Sequence, residues 1–350
     1  MAAFAPKSQV RVAVLGATGS VGQRFVGLLE HHPWFQLVRV GASPRSAGRP
    51  YGKAVRWMQA GPCPSAAASL VVQDCEPARG VDLVFSALGS SVAGPIERAW
   101  AAAGALVVSN ASTHRMHPEV PLCVPEVNAD HLAQADRQSF GSGAIVCGPN
   151  CSTAGLVLAL APLQLAFGIR QATVVTLQAV SGAGVPGVPS MQVIDNLLPY
   201  IAGEEDKLES EPHKILGRLS GTGIQELAFP MSATATRVPV IDGHTEVVSL
   251  SLVGDPTPDA VAAAMASFQG PEGIAALPSA PARPVVVLAE PDGPQPRLHR
   301  GMENGMATVV GRVRDCPVLG TKFVLLSHNT LRGAAGGALL IGEALIARRG

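Results

Sequence analysis

The sequence predicts an α/β protein in which a Rossmann-like, doubly wound parallel sheet is followed by a smaller α+β domain. Three observations carry this prediction. In the first 150 residues, short β-branched runs alternate with glycine turns and a helix-forming segment, which is typical of parallel sheets covered by helices. Beyond residue 170, several runs alternate with period two, as in antiparallel strands with one covered face. The 350 residues, 47% of them hydrophobic, suffice for two domains.

The first half contains a strand, a glycine turn, a helix and then four further strands. The helix is predicted at Gln23–His31. The predicted strands are Gln9–Leu15, Gln36–Gly41, Val81–Ala87, Ala105–Ser109 and Ala144–Cys147. These elements assign residues 1–150 to the parallel sheet and its helices.

From Cys151 onward, the predicted elements and their sequence patterns differ from those of the first half. Helices are predicted at Thr153–Phe167, over residues 204–219, where the polar composition indicates a solvated helix, and at Asp259–Gln269. Strands are predicted at Gln171–Val180, His244–Val253, Val285–Ala289, Met306–Val313 and Lys322–Ser327. We expect residues 151–329 to form the second domain, and a helix at Thr330–Arg348 to return to the first, which residues 330–350 complete.

Composition and charge argue against several classes of function. Lys plus Arg equal Asp plus Glu at 26 each, so no basic surface indicates a nucleic-acid partner. The six cysteines form no CxxC pair, so we expect no metal site, and their scatter is typical of reduced thiols in a cytoplasmic protein. The longest apolar stretch, Leu156–Phe167, is too short to span a bilayer, and residues 1–9 lack a signal-peptide pattern.

A glycine motif between the first strand and the first helix indicates a dinucleotide site. Gly16, Gly19 and Gly22 give a GxxGxxG spacing, which lets backbone N–H groups and a helix N-terminus face a pyrophosphate. The alternative is a glycine turn without a ligand. The residues expected to contact the dinucleotide here are Gly16, Thr18, Gly19, Ser20, Val21 and Gly22, together with Ser86, Leu88 and Gly89 after the third strand.

The end of the second strand favours NADP over NAD. NAD sites usually carry an acidic residue there for the ribose 2′-hydroxyl, whereas this chain has Ser43, Arg45 and Ser46. These side chains suit a 2′-phosphate, to which an arginine offers charge-assisted hydrogen bonds. The alternative is that Arg45 and Arg49 are ordinary surface charges.

Cys151 is the candidate nucleophile. It follows a strand and opens an apolar helix, where the helix dipole and free N–H groups are expected to lower the pKa of a thiol. Cys147 lies within the preceding strand and is predicted to be a buried thiol of the core. His244 opens an alternating strand after an Asp-Gly turn, but sequence spacing alone does not show whether it lies beside Cys151.

Five motifs in order resemble the aspartate-semialdehyde dehydrogenase family. They are GATGSVG at 16–22, GPNCSTAG at 148–155, LQAVSGAG at 177–184, GEEDK at 203–207 and RVPVIDGHTEVVSL at 237–250. Three further segments, SNASTHRM at 109–116, VPEVN at 124–128 and SHNTLRGAAGG at 327–337, resemble the archaeal and fungal branch. The resemblance covers nearly the whole chain.

The resemblance implies a role for each site residue. Cys151 is implied as the acyl-accepting nucleophile and His244 as the general acid/base. Gln178 is implied to orient the acyl intermediate, and Asn150 to hold either the thioester carbonyl or the cysteine loop. The implied substrate-binding residues are Arg237 for the carboxylate, Glu204 for the amino group, and Lys207 and Arg115 for phosphate. The implied nicotinamide-side contacts are Ser181, Gly182, Gly184 and Asn329.

The resemblance also implies the reaction and its participants. The expected activity is NADPH-dependent reductive dephosphorylation of L-aspartyl 4-phosphate to L-aspartate 4-semialdehyde through a cysteine thioester, in the biosynthesis of lysine, threonine, methionine and isoleucine. The expected partners are this small substrate and inorganic phosphate, with no nucleic acid, membrane or metal. The family implies a homodimer or homotetramer, whose second domain serves catalysis and dimerisation.

Several alternatives stay open at this point. Glu204 and Lys207, three apart on a helix, are equally explained as a solvated ion pair, and Glu205 competes with Glu204 for the substrate amine. Arg115 fits an ordinary loop arginine. Rival functions are an NADPH-dependent malonyl-CoA reductase, another acyl-phosphate or thioester reductase, or an NADP sensor without chemistry. An amine-binding carboxylate favours the amino-acid substrate, because malonyl groups carry no amine.

Overall fold

The first sheet consists of five parallel strands. The structure is a computed structural model that describes residues 5–221 and 223–349. The strands are β1 (Val10–Leu15), β2 (Phe35–Gly41), β3 (Leu83–Ser86), β4 (Leu106–Ser109) and β5 (Ala144–Cys147). Their order is β2-β1-β3-β4-β5, and every neighbouring pair is parallel. The predicted Rossmann-like parallel sheet is therefore confirmed.

Helices follow the strands of this sheet. They are α1 (Ser20–Leu29), α2 (Tyr51–Ala54), α3 (Ser65–Ser69), α4 (Ser90–Ala102) and α5 (Pro125–Asn128), with a 3-10 helix at Ala129–Arg137. Helix α1 begins three residues before its predicted start. Helix α4 is not predicted from the sequence, because its interior holds Gly94 and Pro95, two residues that disfavour helices.

The second sheet has six strands and mixed pairing. They are β6 (Ile169–Gln178), β9 (Met231–Arg237), β10 (His244–Leu252), β11 (Val285–Val287), β12 (Thr308–Cys316) and β13 (Gly320–Ser327), and a hairpin of β7 (Arg218–Ser220) and β8 (Gly223–Gln225) stands apart. The order is β11-β12-β13-β10-β6-β9. The three inner pairs are antiparallel, as predicted, but both outer pairs are parallel. Strand β9 is not predicted from the sequence.

The helices of this half include one that departs from its prediction. They are α6 (Cys151–Ala166), α7 (Ser190–Val193), α8 (Glu204–Ile215), α9 (Pro258–Ala266) and α10 (Pro296–His299), with 3-10 helices at Val180–Ala183, Ile274–Ala276 and Met302–Gly305. The helix predicted over residues 204–219 ends at Ile215. The prediction that it is solvated is wrong, because Glu204, Glu211 and Lys214 are buried along one face.

Helix α6 lies between the two sheets and fixes the position of Cys151. Every residue from Ser152 to Leu163 is buried, and one apolar cluster joins this helix to side chains from both sheets. Each fully buried leucine in it contributes about 2 kcal/mol through the hydrophobic effect. At Gly155 an added Cβ would stand 2.5 Å from the Ser327 Cβ, so the helix and β13 are in close contact.

The chain ends against the first sheet. A π-helix at Leu331–Ala335 leads into α11 (Gly336–Arg349), which packs on β3 and β4. An added Cβ at Gly342 would meet the Phe85 ring at 3.0 Å, so the helix lies directly on the sheet. Residues 1–4 and Gly350, included in the predicted first domain, lie outside the described residues. Within the described ranges, no helix is long and apolar enough to cross a membrane.

Candidate active site

Two helices begin side by side at the carboxyl edge of the first sheet. Strand β1 lies between β2 and β3. The chain therefore adds β2 on one side of β1 and β3 on the other, so the order of strand addition switches direction at this point. Helices α1 and α4 follow these strands directly, and both are N-capped by glycines, Gly19 and Gly89, without a side-chain cap. Uncapped N–H groups of two helices at one switch point are suited to bind the pyrophosphate of a dinucleotide.

The glycine spacing of this turn has a steric cause. Gly16 has a φ of +73°, and a Cβ there would stand 2.5 Å from the Ala87 oxygen. A Cβ on Gly22 would stand 2.2 Å from the Gly16 oxygen. Gly89, by contrast, faces open space. The turn is therefore held tight against the sheet, and the crevice beside it has room for a cofactor.

The other predicted cofactor residues fall into different environments. Ser43 and Arg45 are exposed just beyond β2, and Ser46 is half-buried. Thr18 is half-buried, and its carbonyl accepts a hydrogen bond from Gln23 Nε2. Ser86 is fully buried and donates its hydroxyl to Glu97 Oε1 at 2.6 Å, so its side chain is turned away from the crevice.

A cavity of about 500 Å³ connects the cofactor crevice to Cys151. It brings together most of the predicted site residues from both halves of the chain. From the predicted cofactor set it is lined by Ser20, Val21, Leu88, Gly89, Ser181, Gly182, Gly184 and Asn329. From the predicted catalytic and substrate set it is lined by Arg115, Asn150, Cys151, Gln178, Glu204, Lys207 and Arg237.

Cys151 lines this cavity and contacts His244, which is fully buried and does not line the cavity itself. Cys151 is the first residue of α6, and its Sγ lies 3.1 Å from His244 Nε2. The other ring nitrogen, Nδ1, accepts the backbone N–H of Ala179 at 3.0 Å. Because Nδ1 is an acceptor, the neutral imidazole carries its proton on Nε2, which faces the sulfur.

Burial sets the protonation of this pair. It raises the pKa of the Cys151 thiol to about 12, and the nearby Glu204 carboxylate acts in the same direction. Burial also lowers the pKa of His244 to about 3, with a further contribution from Arg237. The expectation of a lowered thiol pKa is therefore wrong, because desolvation outweighs the favourable position at the helix N-terminus. Both pKa shifts favour an uncharged thiol beside an uncharged imidazole at neutral pH.

Glu204 joins the two residues expected to orient the acyl group. Its Oε2 accepts hydrogen bonds from Asn150 Nδ2 at 2.8 Å and Gln178 Nε2 at 3.2 Å. Its Oε1 forms an ion pair with Lys207 Nζ at 2.7 Å. Burial alone would raise the pKa of Glu204, but the hydrogen bonds outweigh it and leave the pKa below its ordinary value. The ion pair between Glu204 and Lys207 thus exists, but it lines the cavity instead of lying on a solvated helix face. Glu205 instead accepts the Ala235 N–H.

Arg115 is held by residues that the sequence did not single out. Its Nη1 donates to Glu211 Oε1 at 2.9 Å, and its Nη2 to the Asn110 carbonyl at 2.7 Å. Lys214 donates to the Arg115 carbonyl at 2.7 Å. Glu204, Lys207, Glu211 and Lys214 recur at intervals of three and four residues, which places them on one face of α8. That periodicity is the sequence signal that identifies this face.

Arg237 and two glycines complete the walls around the nucleophile. Arg237 is buried at the end of β9, and its Nη1 donates to the Ala179 carbonyl at 2.7 Å. A Cβ on Gly182 would approach Arg237 Nη1 to 2.9 Å. A Cβ on Gly333 would stand 2.8 Å from the Cys151 Cα. Gly333 is a further site residue that motif reading did not single out.

Asn329 forms hydrogen bonds both to the turn that precedes His244 and to the glycine-rich loop that begins at Ser181. Its Oδ1 accepts the Gly243 N–H at 2.9 Å, and its Nδ2 donates to the Ser181 hydroxyl at 2.8 Å. Gly243 precedes His244, so these two bonds couple the imidazole's backbone to the predicted nicotinamide contacts. Over the described ranges, no group of three or more His, Cys, Asp and Glu side chains is placed to hold a metal ion.

Comparison with known proteins agrees with this geometry. The family model described as "Semialdehyde dehydrogenase, NAD binding domain" matches residues 11–135, and "Semialdehyde dehydrogenase, dimerisation domain" matches residues 160–332. An aspartate-semialdehyde dehydrogenase from Archaeoglobus fulgidus is 44% identical over 339 residues, covering 96% of this chain and 97% of the relative. One from Cryptococcus neoformans is 46% identical over 359 residues, covering 97% and 98%.

A solved structure is similar over the same extent. The crystal structure of aspartate semialdehyde dehydrogenase with NADP from Candida albicans matches with a TM-score of 0.90 and 44% identity, covering 97% of this chain and 99% of that one. The family models together span most of the chain, and the two relatives extend over nearly all of it. The chain therefore belongs to the aspartate-semialdehyde dehydrogenase family.

Proposed function

We propose that this protein is an NADP-dependent aspartate-semialdehyde dehydrogenase, an oxidoreductase of amino-acid biosynthesis. It reduces L-aspartyl 4-phosphate to L-aspartate 4-semialdehyde through a thioester on Cys151 and releases inorganic phosphate. The observation that carries this proposal is the contact of Cys151 Sγ with His244 Nε2 at 3.1 Å. Together with Arg237, Glu204 and Lys207, the thiol lines one cavity that reaches the dinucleotide crevice. No observation favours malonyl-CoA as the substrate.

The charged groups of the cavity match the charges of the substrate. Arg237 is the ligand for the substrate carboxylate, and the ionised Glu204 is the ligand for its ammonium group. Arg115 and Lys207 carry the positive charge for the phosphate. A malonyl group has no ammonium to pair with Glu204, so this carboxylate supports the amino-acid substrate.

Acylation begins from the uncharged thiol. Sγ attacks the acyl carbon of aspartyl phosphate, and the bond from that carbon to the phosphate oxygen breaks. The thiol proton leaves with the phosphate as HPO₄²⁻, so no free thiolate is required beforehand. Arg115 and Lys207 stabilise the charge on the departing phosphate, while Gln178 and Asn150 orient the acyl group.

Reduction of the thioester returns the enzyme to its starting state. When bound, NADPH supplies the hydride, which a thioester accepts far more readily than a carboxylate does. The thiohemiacetal alkoxide collapses to the aldehyde, the C–S bond breaks, and the leaving sulfur accepts a hydrogen bond from the Nε2–H of His244, through which solvent returns one proton. The thiolate released is stabilised by the same N–H before it is protonated again.

Replacing Arg237 with leucine is expected to weaken substrate binding. The KM for aspartate semialdehyde should rise about 10- to 100-fold, the value of a charge-assisted hydrogen bond, while kcat falls less. Steady-state kinetics of aldehyde oxidation measures both constants. Arg170→Leu, which removes an exposed arginine that forms an ion pair with the exposed Asp255, is the control. An unchanged KM in the Arg237 variant would place the substrate carboxylate elsewhere.

The cofactor proposed is NADP, with Ser43, Arg45 and Ser46 as ligands of the 2′-phosphate. The glycine turn and the two uncapped helix starts fit a dinucleotide, and the exposed Arg45 stands where an NAD site usually has an acidic residue. The exposed ends of these side chains leave them free to meet a phosphate.

Replacing Arg45 with alanine is expected to raise the KM for NADPH about 10-fold without changing that for NADH. Arg49→Ala is the matched control in the same loop, since Arg49 Nη2 donates to the Lys53 carbonyl. Kinetics with both cofactors measures the preference. If Arg49→Ala lowered the preference for NADPH and Arg45→Ala did not, then Arg49 and not Arg45 would bind the 2′-phosphate.

A homodimer or homotetramer is proposed from the open face of the second sheet. Val247 is the direct cross-strand partner of both Val175 and Val324, which gives an apolar row across three strands. Val175 and Val247 remain exposed within one chain. The match to a dimerisation domain supports this face as the contact between copies. The division at residue 150, with residues 330–350 completing the first domain, is proposed from the two family-model matches, one of which ends before that residue and the other begins after it. A cytoplasmic location is proposed because the six cysteines are all free.

The test of the proposed function is a substrate comparison with the pure protein. We expect reduction of NADP that requires both aspartate semialdehyde and inorganic phosphate. We expect no comparable oxidation of NADPH with malonyl-CoA. Malonyl-CoA reduction without the phosphate-dependent reaction would replace the proposed substrate while keeping the thioester chemistry.

A further inference from the structure

One buried carboxylate touches both the proposed phosphate ligand and the turn that carries the nucleophile. Glu211 lies on α8 and is 2% exposed. Its Oε1 accepts Arg115 Nη1 at 2.9 Å, and its Oε2 accepts the backbone N–H of Asn150 at 2.6 Å. No step of the proposed mechanism uses this residue directly.

Each of these bonds fixes one part of the site. Arg115 is held at a second point by the Asn110 carbonyl, so its guanidinium has a defined orientation beside the cavity. Asn150 caps α6 and immediately precedes Cys151. Through its two oxygens, Glu211 therefore sets the distance and direction from the arginine to the sulfur.

The free-energy cost of burying the Glu211 carboxylate indicates that its position serves the geometry of the site. A carboxylate removed from water is destabilising unless it is paired and hydrogen-bonded, and a buried ion pair often contributes little net stability. Both oxygens of Glu211 are engaged, one by a guanidinium and one by a peptide N–H. The arrangement accordingly favours a role in geometry over a role in stability.

We propose that Glu211 is a positioning residue that orients Arg115 toward the phosphate. It acts on the phosphate of the acyl substrate in the forward direction and on inorganic phosphate in reverse. The inference rests on the proposed function, because it assigns Arg115 to phosphate. Glu211 itself touches neither the substrate nor the sulfur.

The test is Glu211→Gln in the phosphate-dependent oxidation of aspartate semialdehyde. The amide oxygen still accepts the Asn150 N–H, whereas the amide nitrogen sets a donor against the Arg115 donor. We expect the KM for phosphate to rise about 10-fold or more, with a much smaller change in kcat. Glu209→Gln is the matched control: the same helix loses a charge, but Glu209 accepts the Ala233 N–H and contacts neither Arg115 nor Asn150 among the described residues. Its phosphate KM should equal that of the unaltered protein.

A double-mutant cycle separates positioning from general damage. If Glu211 acts through Arg115, then Glu211→Gln has no further effect on the phosphate KM in an Arg115→Ala background. Two independent, additive effects would overturn the inference. A merely structural role would lower the melting temperature or the number of titratable active sites, and would leave the phosphate KM of the folded fraction unchanged.

The outcomes also separate this inference from the proposed function. If the glutamine variant does not fold, Glu211→Asp keeps the charge but withdraws it by one methylene, and it should raise the phosphate KM as well. An unchanged phosphate KM in either folded variant overturns the positioning role. If the unaltered protein lacks phosphate-dependent activity, the proposed function itself fails.

Discussion

Cys151→Ala is expected to abolish turnover, by about 10⁴-fold or more, because the acyl group then has no sulfur to bind. NADPH affinity should be nearly unchanged, since the sulfur is not a proposed cofactor ligand and alanine is smaller than cysteine. Steady-state assays measure the loss, and fluorescence titration measures the affinity. This variant has the largest expected effect because each step of the proposed reaction passes through the sulfur.

The control for this variant removes a different thiol. Cys316→Ala takes away a cysteine at the end of β12 that is not among the residues lining the cavity, and it should keep full activity. A Cys151 variant retaining more than a small percentage of the activity would remove the covalent mechanism.

His244→Ala is expected to lower kcat by about 10²- to 10⁴-fold, the usual contribution of a positioned proton donor. The variant also loses the N–H that faces the sulfur and the acceptor for the Ala179 amide. His31→Ala, at an exposed position, should have no effect. Comparable losses in both variants would mean that His244 has no specific role.

The pH dependence provides a second test of this histidine. Because burial lowers the pKa of His244 to about 3, the ring of the free enzyme is uncharged throughout the range from about pH 5 upward. We therefore expect kcat/KM for aldehyde oxidation to show no histidine titration near pH 6.5. An acid limb centred there that disappears in His244→Ala would contradict the neutral-donor role.

The first sheet was predictable because its signals are local. Short β-branched strands and the turn from Gly16 to Gly22 depend on neighbouring residues, and all five strands appear where expected. Strand β9, with the sequence MSATATR, alternates apolar and polar residues, but two of its three apolar residues are alanines, which give a weak signal, and its pairing with β6 is set by tertiary contacts. Local patterns do not contain that information.

The structure brings most of the predicted site residues to one cavity, but the physical state of those residues was not predictable from the sequence. Cys151 and His244 are 93 positions apart, so only the resemblance to a family paired them before the structure did. Helix α8 was expected in water because of its charges, whereas Glu204 and Lys207 line the cavity. Glu211 and Lys214 are buried against Arg115. The thiol pKa was expected to fall, but burial, which sequence spacing does not reveal, raises it.

The central claim is that the acyl group is carried on Cys151. The most direct measurement mixes the protein with aspartate semialdehyde and NADP in the absence of phosphate and quenches the mixture in acid. We predict a burst of one NADPH per active site, together with an aspartyl thioester that fragmentation of the peptide assigns to Cys151 and not to Cys147. A burst without any adduct on that peptide, or with the adduct on Cys147, would contradict this account.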